Sequence, residues 1–299
     1  MKQKLITIAL SGAIALPFAV HAEAPMELVI VTPARMPQSL HKTIADTTVL
    51  DEQEIRKSGA PDVPTLLRAL VGVEVVQSGG LGKQSSTFLR GTNSSHVLVL
   101  LDGVRINSAT AGTTALEHIM LDSIERIEVV RGNVSSLYGS EAIGGVIQIF
   151  TKRGKGEPSF NGGVAAGSHD TRRVSAGFGG EMASTAFNVQ VSKHKTEGVS
   201  AVKPSLVPTV NPDNDGYDNS AVSASVRHAF GDAHSLSASL FDSSATNQTD
   251  NSFGMSTDVN SSKSHIQKAA VASDNRISDN WQSKVQLSQG IDDLQNFLN

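Results

Sequence analysis

The sequence lacks cysteine, and it is poor in aromatic residues and in net charge. None of its 299 residues is Cys, so disulfides and thiolate metal sites are excluded. Aromatic residues make up 4% of the chain, with a single Trp. A formal net charge of -4 gives the protein no general attraction to nucleic acid, which is therefore not a predicted partner.

Long apolar runs are also absent beyond the N-terminus. Residues 5–20 are mostly apolar, follow a basic start, and end at the small-residue cleavage pattern Val20-His21-Ala22. The run is shorter than the ~20 residues of a membrane-spanning helix, and Pro17 interrupts it. These features predict a secretory signal peptide over residues 1–22. No later stretch could span a bilayer as a helix, so the exported chain would be soluble or form a β-barrel.

The most informative stretch runs from Val97 to Asn107. Residues 97–101 are an unbroken apolar run of strand length, which favours a strand buried on both faces. Asp102-Gly103 follows, and both residue types tolerate the positive φ of a type I′ hairpin turn. The chain is then expected to return over residues 104–107. Two more strand-like runs follow, Ile124–Val130 and Gly145–Thr151.

Upstream segments complete an α+β pattern. Residues 47–51 predict a strand and residues 52–57 a helical turn. Asp62 can cap a second helix that contains Pro64 and ends near Gly72. A strand over 73–76 and a polar loop over 77–86 follow. Gly82-Lys83 in this loop does not fit a phosphate-binding motif, because Gln84 stands where Ser or Thr should follow the Lys.

These residues resemble the plug domain of TonB-dependent outer-membrane receptors. The resemblance covers about Thr47 to Lys152, and it is greatest to the cobalamin (vitamin B12) receptor and its ferric-siderophore relatives. Its motifs, in order, are Thr87–Gly91, Val97–Asn107 with the Asp102-Gly103 turn, Arg131-Gly132 and Leu137–Gly145. It implies an α+β plug domain over residues 47–155, followed by the first strands of an antiparallel transmembrane β-barrel.

A docking segment precedes the plug. Residues 23–46 contain Glu27-Leu28-Val29-Ile30-Val31-Thr32, and Pro33 biases Thr32 toward extended geometry. An extended run of this kind can add as an edge strand to a partner's sheet. The resemblance implies that Glu27–Thr32 is the TonB box, which pairs with the periplasmic energy-coupling protein TonB. The alternative is the first strand of a folded domain.

The resemblance also assigns roles within the plug. Arg90 and Arg131 belong to two of its motifs and are expected to anchor the plug to acidic groups inside the barrel wall. Buried charges need partners, although some of these side chains could simply face solvent. Polar plug loops predict ligand contacts at Ser85, Asn93, Ser94 and Asn107.

Residues 156–299 have the pattern of a partial barrel. Apolar and small polar residues alternate, as in Val222-Ser223-Ala224-Ser225-Val226, which is typical of transmembrane strands. Six or seven strands are expected, with a long loop over 196–219 and turns at Gly179–Glu181 and Gly231-Asp232. Family barrels have about 22 strands, so the barrel is expected to be incomplete in this chain. A periplasmic sheet with the same alternation is the alternative.

One loop has the composition of a cation site. Residues 211–219 place carboxylates and amides at alternate positions before Gly216, and such oxygen-rich turns suit Ca²⁺. It is not an EF-hand, because no Glu follows Gly216 at the required distance. By resemblance, Asp213 and Asp215 are predicted calcium ligands, with Asp242 and Asp250 as further candidates from the next outer loop. An ordinary Asx-rich turn is the alternative.

Together these features predict a receptor for active uptake of a scarce, bulky nutrient across the outer membrane. The expected ligand is cobalamin-like, and the expected partners are TonB and outer-membrane lipid. No cofactor other than calcium is implied. A ferric-siderophore or haem receptor, or a truncated binding protein that does not transport, remains the alternative. No Ser-His-Asp order, zinc motif or paired-carboxylate signature indicates an enzyme.

Overall fold

The structure is a computed structural model that describes residues 29–30, 38–40, 43–108, 112–200, 202–203, 205–251 and 253–298. The predicted signal peptide and the box residues Glu27, Leu28, Val31 and Thr32 lie outside the described residues. Within the described part, no helix is long and apolar enough to cross a membrane.

Among the described residues up to Thr151, the docking segment and the plug form nine short strands and three α-helices. In chain order they are β1 (Val29–Ile30), β2 (Gln38–Ser39), β3 (Asp46–Asp51), α1 (Glu52–Ser58), α2 (Val63–Arg68), β4 (Val73–Gln77), β5 (Ser85–Leu89), β6 (Val97–Leu101), β7 (Val104–Arg105), β8 (Ile124–Arg131), α3 (Ser135–Tyr138) and β9 (Gly145–Thr151). Five strands form one mixed sheet in the order β3-β8-β9-β6-β7, in which β6 and β9 run parallel. β4 pairs with β5, and β1 pairs with β2, in separate antiparallel pairs.

The apolar run 97–101 is the central strand that the sequence predicts. All five of its residues are buried. Val97, Val99 and Leu101 pack in one core with residues that include Ile127 and Ile147, whereas Leu98 and Leu100 belong to a second cluster with Ala142 and Val146. Asp102 and Gly103 take φ values of 48° and 83°, which are those of the predicted turn. The return strand stops at Arg105, earlier than predicted. The Asn107 side chain then replaces backbone pairing, because it accepts from Val99 N at 2.8 Å and donates to Val97 O at 3.0 Å.

Both predicted helices form, with one boundary corrected. Asp51 and Glu54 make a reciprocal capping box at α1, and Asp62 caps α2 by accepting from Thr65 N. α2 ends at Arg68, whereas the sequence predicts an end near Gly72. Gly72 instead takes φ +74° in the turn before β4, where an added Cβ would meet the Arg131 side chain at 3.3 Å. The predicted loop is likewise shorter, since β4 and β5 leave only residues 78–84 unpaired.

The second part of the chain is a seven-stranded antiparallel sheet, here called the wall. Its strands are β10 (Ser159–Gly167), β11 (Thr171–Met182), β12 (Thr185–Thr196), β13 (Tyr217–Phe230), β14 (His234–Thr249), β15 (Asn260–Ser278) and β16 (Trp281–Phe297). They pair in sequence order, so within the described residues β10 and β16 are edges and the sheet is open. The predicted strand number is confirmed, and the long loop is present over 197–216, which is shorter than the predicted 196–219. Connections 168–170, 197–216 and 250–259 lie at one end of the wall, here called the loop end, and the short turns 183–184, 231–233 and 279–280 lie at the other end.

One predicted turn is wrong. Gly179 and Gly180 lie inside β11, and the chain turns later, at Ala183 and Ser184. The glycines serve close packing, because the segment that leaves the plug crosses β11 here. A Cβ on Gly180 would lie 2.4 Å from Pro158 Cα, and a Cβ on Gly154 would lie 2.2 Å from Gly180 O. The predicted turn at Gly231-Asp232 is present, with Gly231 at φ +64°.

The two faces of the wall differ in chemistry. On β12, Asn188, Gln190 and Ser192 are buried, while Val189 and Val191 between them are exposed. The polar face lies toward the plug, and the apolar face points away from it. Strand side chains alternate between faces, so this is the pattern expected of a barrel wall seen from the plug side.

Candidate functional site

The loop end of the wall brings three carboxylates together. Asp213 and Asp215 belong to the connection 197–216, and Asp250 follows β14 directly. One carboxylate oxygen from each lies within 4.8 Å of the others. Asp215 is buried, whereas Asp213 is exposed. Asp250 also accepts hydrogen bonds from Ser200 Oγ and Val202 N, both at 3.0 Å, which fix the carboxylate against the first connection.

Asp242 is not part of this cluster, so its prediction as a cation ligand is wrong. Phe241 and Ser243 are buried toward the plug, and strand alternation therefore directs Asp242 to the outer face. Its carboxylate accepts from His265 Nε2 at 2.9 Å and from Gln267 Nε2 at 3.2 Å. The alternation of residues 236–240, in which Leu236 and Leu240 face outward, already indicates that Asp242 faces outward too. Asp250, the second candidate, supplies the third carboxylate of the cluster instead.

A buried lysine of the plug reaches this end of the wall. Lys83 is 2% exposed. Its Nζ donates to Asn247 Oδ1 and Gln248 O at 2.6 Å, to Asp215 O at 3.0 Å and to Gly216 O at 3.4 Å. Burial lowers the pKa of Lys83 to about 8, against the raising effect of Asp215 and Asp250. No local sequence signal pointed to this contact, because all four acceptors lie far along the chain.

A second polar contact between plug and wall surrounds Glu117. Ser85 Oγ donates to Glu117 Oε2 at 2.5 Å, and Tyr217 Oη donates to Glu117 O at 3.1 Å. His118 Nδ1 lies 3.2 Å from the same Tyr217 Oη. Burial raises the pKa of Glu117 to about 7 and lowers the pKa of His118 to about 4. Ser85 is thus buried in this contact, which contradicts its prediction as an open ligand contact.

The other predicted ligand residues divide into two groups. Asn107 is used inside the plug sheet, as described above, so the structure contradicts its predicted role. Asn93 is exposed and caps the short turn 94–96 by accepting from Ser95 N at 3.3 Å, and Ser94 is half-buried beside it. Ligand contact at Asn93 and Ser94 stays a prediction.

The two predicted anchoring arginines contact the plug itself. Arg90 and Arg131 both pair with Asp46, at 2.8 and 3.4 Å, and Arg131 also donates to Thr48 Oγ1 at 2.8 Å. These contacts lie within the plug. Among the described residues, the two arginines therefore do not make the predicted pairs with acids of the wall. Asp46 opens β3 directly opposite Arg131 on β8, which explains the pairing.

Two ion pairs between plug and wall have the opposite charges to those predicted, which placed the basic residues on the plug and the acids on the wall. Asp102 of the plug accepts from Lys268 Nζ of β15 at 2.6 Å, and both side chains are buried. Asp122 of the plug accepts from Arg173 Nε of β11 at 2.7 Å. In both pairs the plug supplies the acid and the wall supplies the base.

The described part of the predicted TonB box is already paired. Val29 and Ile30 form β1 and pair antiparallel with Ser39 and Gln38 of β2, and Ile30 is fully buried.

Comparison with known proteins agrees with this architecture. Residues 39–146 match the family described as TonB-dependent Receptor Plug Domain. The Vitamin B12 transporter BtuB of Vibrio cholerae serotype O1 (strain ATCC 39541 / Classical Ogawa 395 / O395) is 36% identical over 258 residues, covering 85% of this chain and 42% of that protein. The protein of the same name from Photobacterium profundum is 34% identical over 300 residues, covering 99% and 48%.

The chain belongs to the TonB-dependent receptors. It spans less than half the length of these curated relatives. The ferripyoverdine receptor of the outer membrane of Pseudomonas aeruginosa aligns with a TM-score of 0.73 at 15% identity, covering 90% of this chain and 37% of that one. The ferric enterobactin receptor PfeA of Pseudomonas aeruginosa aligns with a TM-score of 0.63 at 20% identity, covering 82% and 40%. At these identities the TonB-dependent receptor fold is what is shared: a plug followed by the start of a barrel.

Proposed function

We propose that this protein is a TonB-dependent receptor for the active uptake of cobalamin across the outer membrane. The observation that carries the choice of ligand is the cluster of Asp213, Asp215 and Asp250 at the loop end, in a chain whose curated relatives are named as vitamin B12 transporters. The named relatives are transporters rather than enzymes, and catalysis is not part of the proposal.

The three carboxylates have the chemistry of a calcium site. Ca²⁺ takes six to eight oxygen ligands and tolerates irregular geometry. Asp213, Asp215 and Asp250 would supply three carboxylates from two separate connections, and a bound cation would hold those connections together. The order this gives to the loop end is the proposed basis for ligand binding, with Asn93 and Ser94 on the exposed plug loop as further candidate contacts.

Transport would use the N-terminal segment. After removal of residues 1–22, Glu27–Thr32 would pair as an added strand with TonB. Because β1 is paired with β2 and Ile30 is buried, the box must first leave this pairing. The exposed valines and leucines of the outer wall face would contact outer-membrane lipid.

The test is uptake of labelled cyanocobalamin by cells whose own cobalamin receptor is deleted and replaced by this gene. We expect uptake that requires TonB and that is lost when Ile30 is replaced by Pro, which removes a backbone donor from the box. Binding without TonB-dependent uptake would favour a binding protein that does not transport. Uptake of ferric siderophore or haem instead of cobalamin would overturn the ligand and keep the receptor class.

A further inference from the structure

Lys83 occupies a site built from wall oxygens rather than a solvent-facing position. Four acceptors surround its Nζ within 3.4 Å, and three of them are backbone carbonyls. A buried ammonium is costly unless hydrogen bonds replace its water shell. Backbone carbonyls in this arrangement therefore indicate that the ammonium is part of the folded loop end.

The plug loop 78–84 is shaped to deliver this lysine. Gly82 takes φ +75°, and a Cβ added there would lie 2.1 Å from Tyr217 Cδ2. Only glycine permits both the backbone conformation and the close approach to the ring. Tyr217 is the first residue of β13, so the loop presses against the point where the connection 197–216 joins the wall.

The acceptors of Lys83 belong to the two segments that carry the carboxylates. Asp215 and Gly216 end the first connection, while Asn247 and Gln248 lie near the end of β14, shortly before Asp250. The two segments also pair directly, since Gly216 N donates to Gln248 Oε1 and Gln248 N donates to Gly216 O, both at 2.9 Å. Lys83 adds a charged bridge across this pairing from the plug side.

We propose that Lys83 is a positioning residue of the loop end: its ammonium joins the two segments that bear Asp213, Asp215 and Asp250 and ties them to the plug. The role given to the carboxylates rests on the proposed function, whereas the bridge itself does not. Displacement of the plug loop withdraws the ammonium from all four oxygens at once. The loop end and the plug are therefore expected to loosen together.

The test is amide hydrogen exchange at Gly216 and Gln248 in the purified protein, kept in chelator so that no divalent cation is bound. Lys83→Met keeps the length of the side chain and removes its charge. We expect at least about tenfold faster exchange at both amides, because hydrogen bonds from a charged donor are lost. Lys203→Met, at an exposed lysine of the same connection, is the matched control and should leave exchange unchanged.

A second variant acts from the wall side. Asn247→Ala removes one acceptor of Lys83 and should give a smaller acceleration at the same amides. This variant keeps the proposal testable if Lys83→Met reaches the membrane poorly. Exchange at the wild-type rate in Lys83→Met, or in Asn247→Ala when that variant alone is available, would overturn the proposal.

Calcium separates this proposal from the proposed function. If the carboxylates bind Ca²⁺, adding calcium to Lys83→Met should restore slow exchange, because the ion then joins the same two segments. If exchange stays fast with calcium, the cation site fails while the lysine bridge stands.

Discussion

The buried pair between Asp102 and Lys268 makes the sharpest stability prediction. Lys268 Nζ has no exposed surface and bonds Asp102 Oδ2 at 2.6 Å and Ser239 Oγ at 2.7 Å. Asp102 also accepts from Thr151 N at 2.9 Å and Thr151 Oγ1 at 2.8 Å. Burial raises the pKa of Asp102, but Lys268, Arg153 and the Thr151 amide together outweigh it and hold that pKa below its usual value. The lowered pKa keeps the Asp102 carboxylate ionised at neutral pH, and its contact with Lys268 joins the plug to the wall.

Replacing one partner leaves the other charge buried and uncompensated, which typically costs about 3–5 kcal/mol. Asp102→Asn preserves shape and tolerates the positive φ of the turn, but it leaves the Lys268 ammonium without its carboxylate. Lys268→Met leaves the carboxylate with Thr151 alone. The double variant removes both charges. We therefore expect its loss of opening free energy to be about 2 kcal/mol smaller than the sum of the losses in the two single variants.

Native-state hydrogen exchange of the amides in β6 and β9 measures the free energy of plug opening. A loss of about 3 kcal/mol corresponds to roughly 150-fold faster exchange. Lys284→Met, at an exposed wall pair with Asp274 at 3.6 Å, is the matched control and should change opening by less than about 0.5 kcal/mol. Losses below about 1 kcal/mol in both single variants, or strict additivity in the double variant, would refute this reasoning.

Two further predictions concern the same interface. Gly82→Ala places a Cβ against the Tyr217 ring at the start of β13 and should destabilise plug docking by several kcal/mol. The control is Gly59→Ala, whose Cβ would meet nothing within 4 Å and should cost only the backbone strain. Thermal unfolding of the two variants compares their stabilities. Between about pH 4.5 and 6.5 the raised pKa of Glu117 makes the folded state hold a proton that the unfolded state lacks, and the lowered pKa of His118 does the reverse. The contributions of these two residues to the free energy of opening should therefore nearly cancel over this range in the wild-type protein. In the Glu117→Gln variant, the free energy of opening should fall by about 2–3 kcal/mol on acidification from about pH 6.5 to 4.5. If the wild type and the variant show the same pH dependence of this free energy, the raised pKa of Glu117 is contradicted.

Much of the fold could be predicted because its signals are local. The apolar run 97–101, the turn at Asp102-Gly103 and the alternation along the wall strands each depend on neighbouring residues. The structure confirms the strands and the turn in these places. The same alternation should have excluded Asp242 as a cation ligand, since it continues the outward row of Leu236 and Leu240.

The contacts between plug and wall could not be predicted from local pattern. Lys83 meets acceptors 132 to 165 residues away, and Asp102 meets Lys268 across 166 residues. Local sequence showed Asp102 only as a turn residue. Resemblance to a family placed Arg90 and Arg131 at the wall, but it could not show that Asp46 of the plug lies nearer to both.

The central claim is that a cation held by the loop carboxylates prepares this receptor for cobalamin. The most direct measurement is cyanocobalamin titration of the purified outer-membrane receptor, first with calcium and then with chelator. We expect tight binding that weakens on chelation, and Asp250→Asn should bind weakly in both conditions while Asp242→Asn behaves as wild type. No cyanocobalamin binding in either condition would contradict the claim.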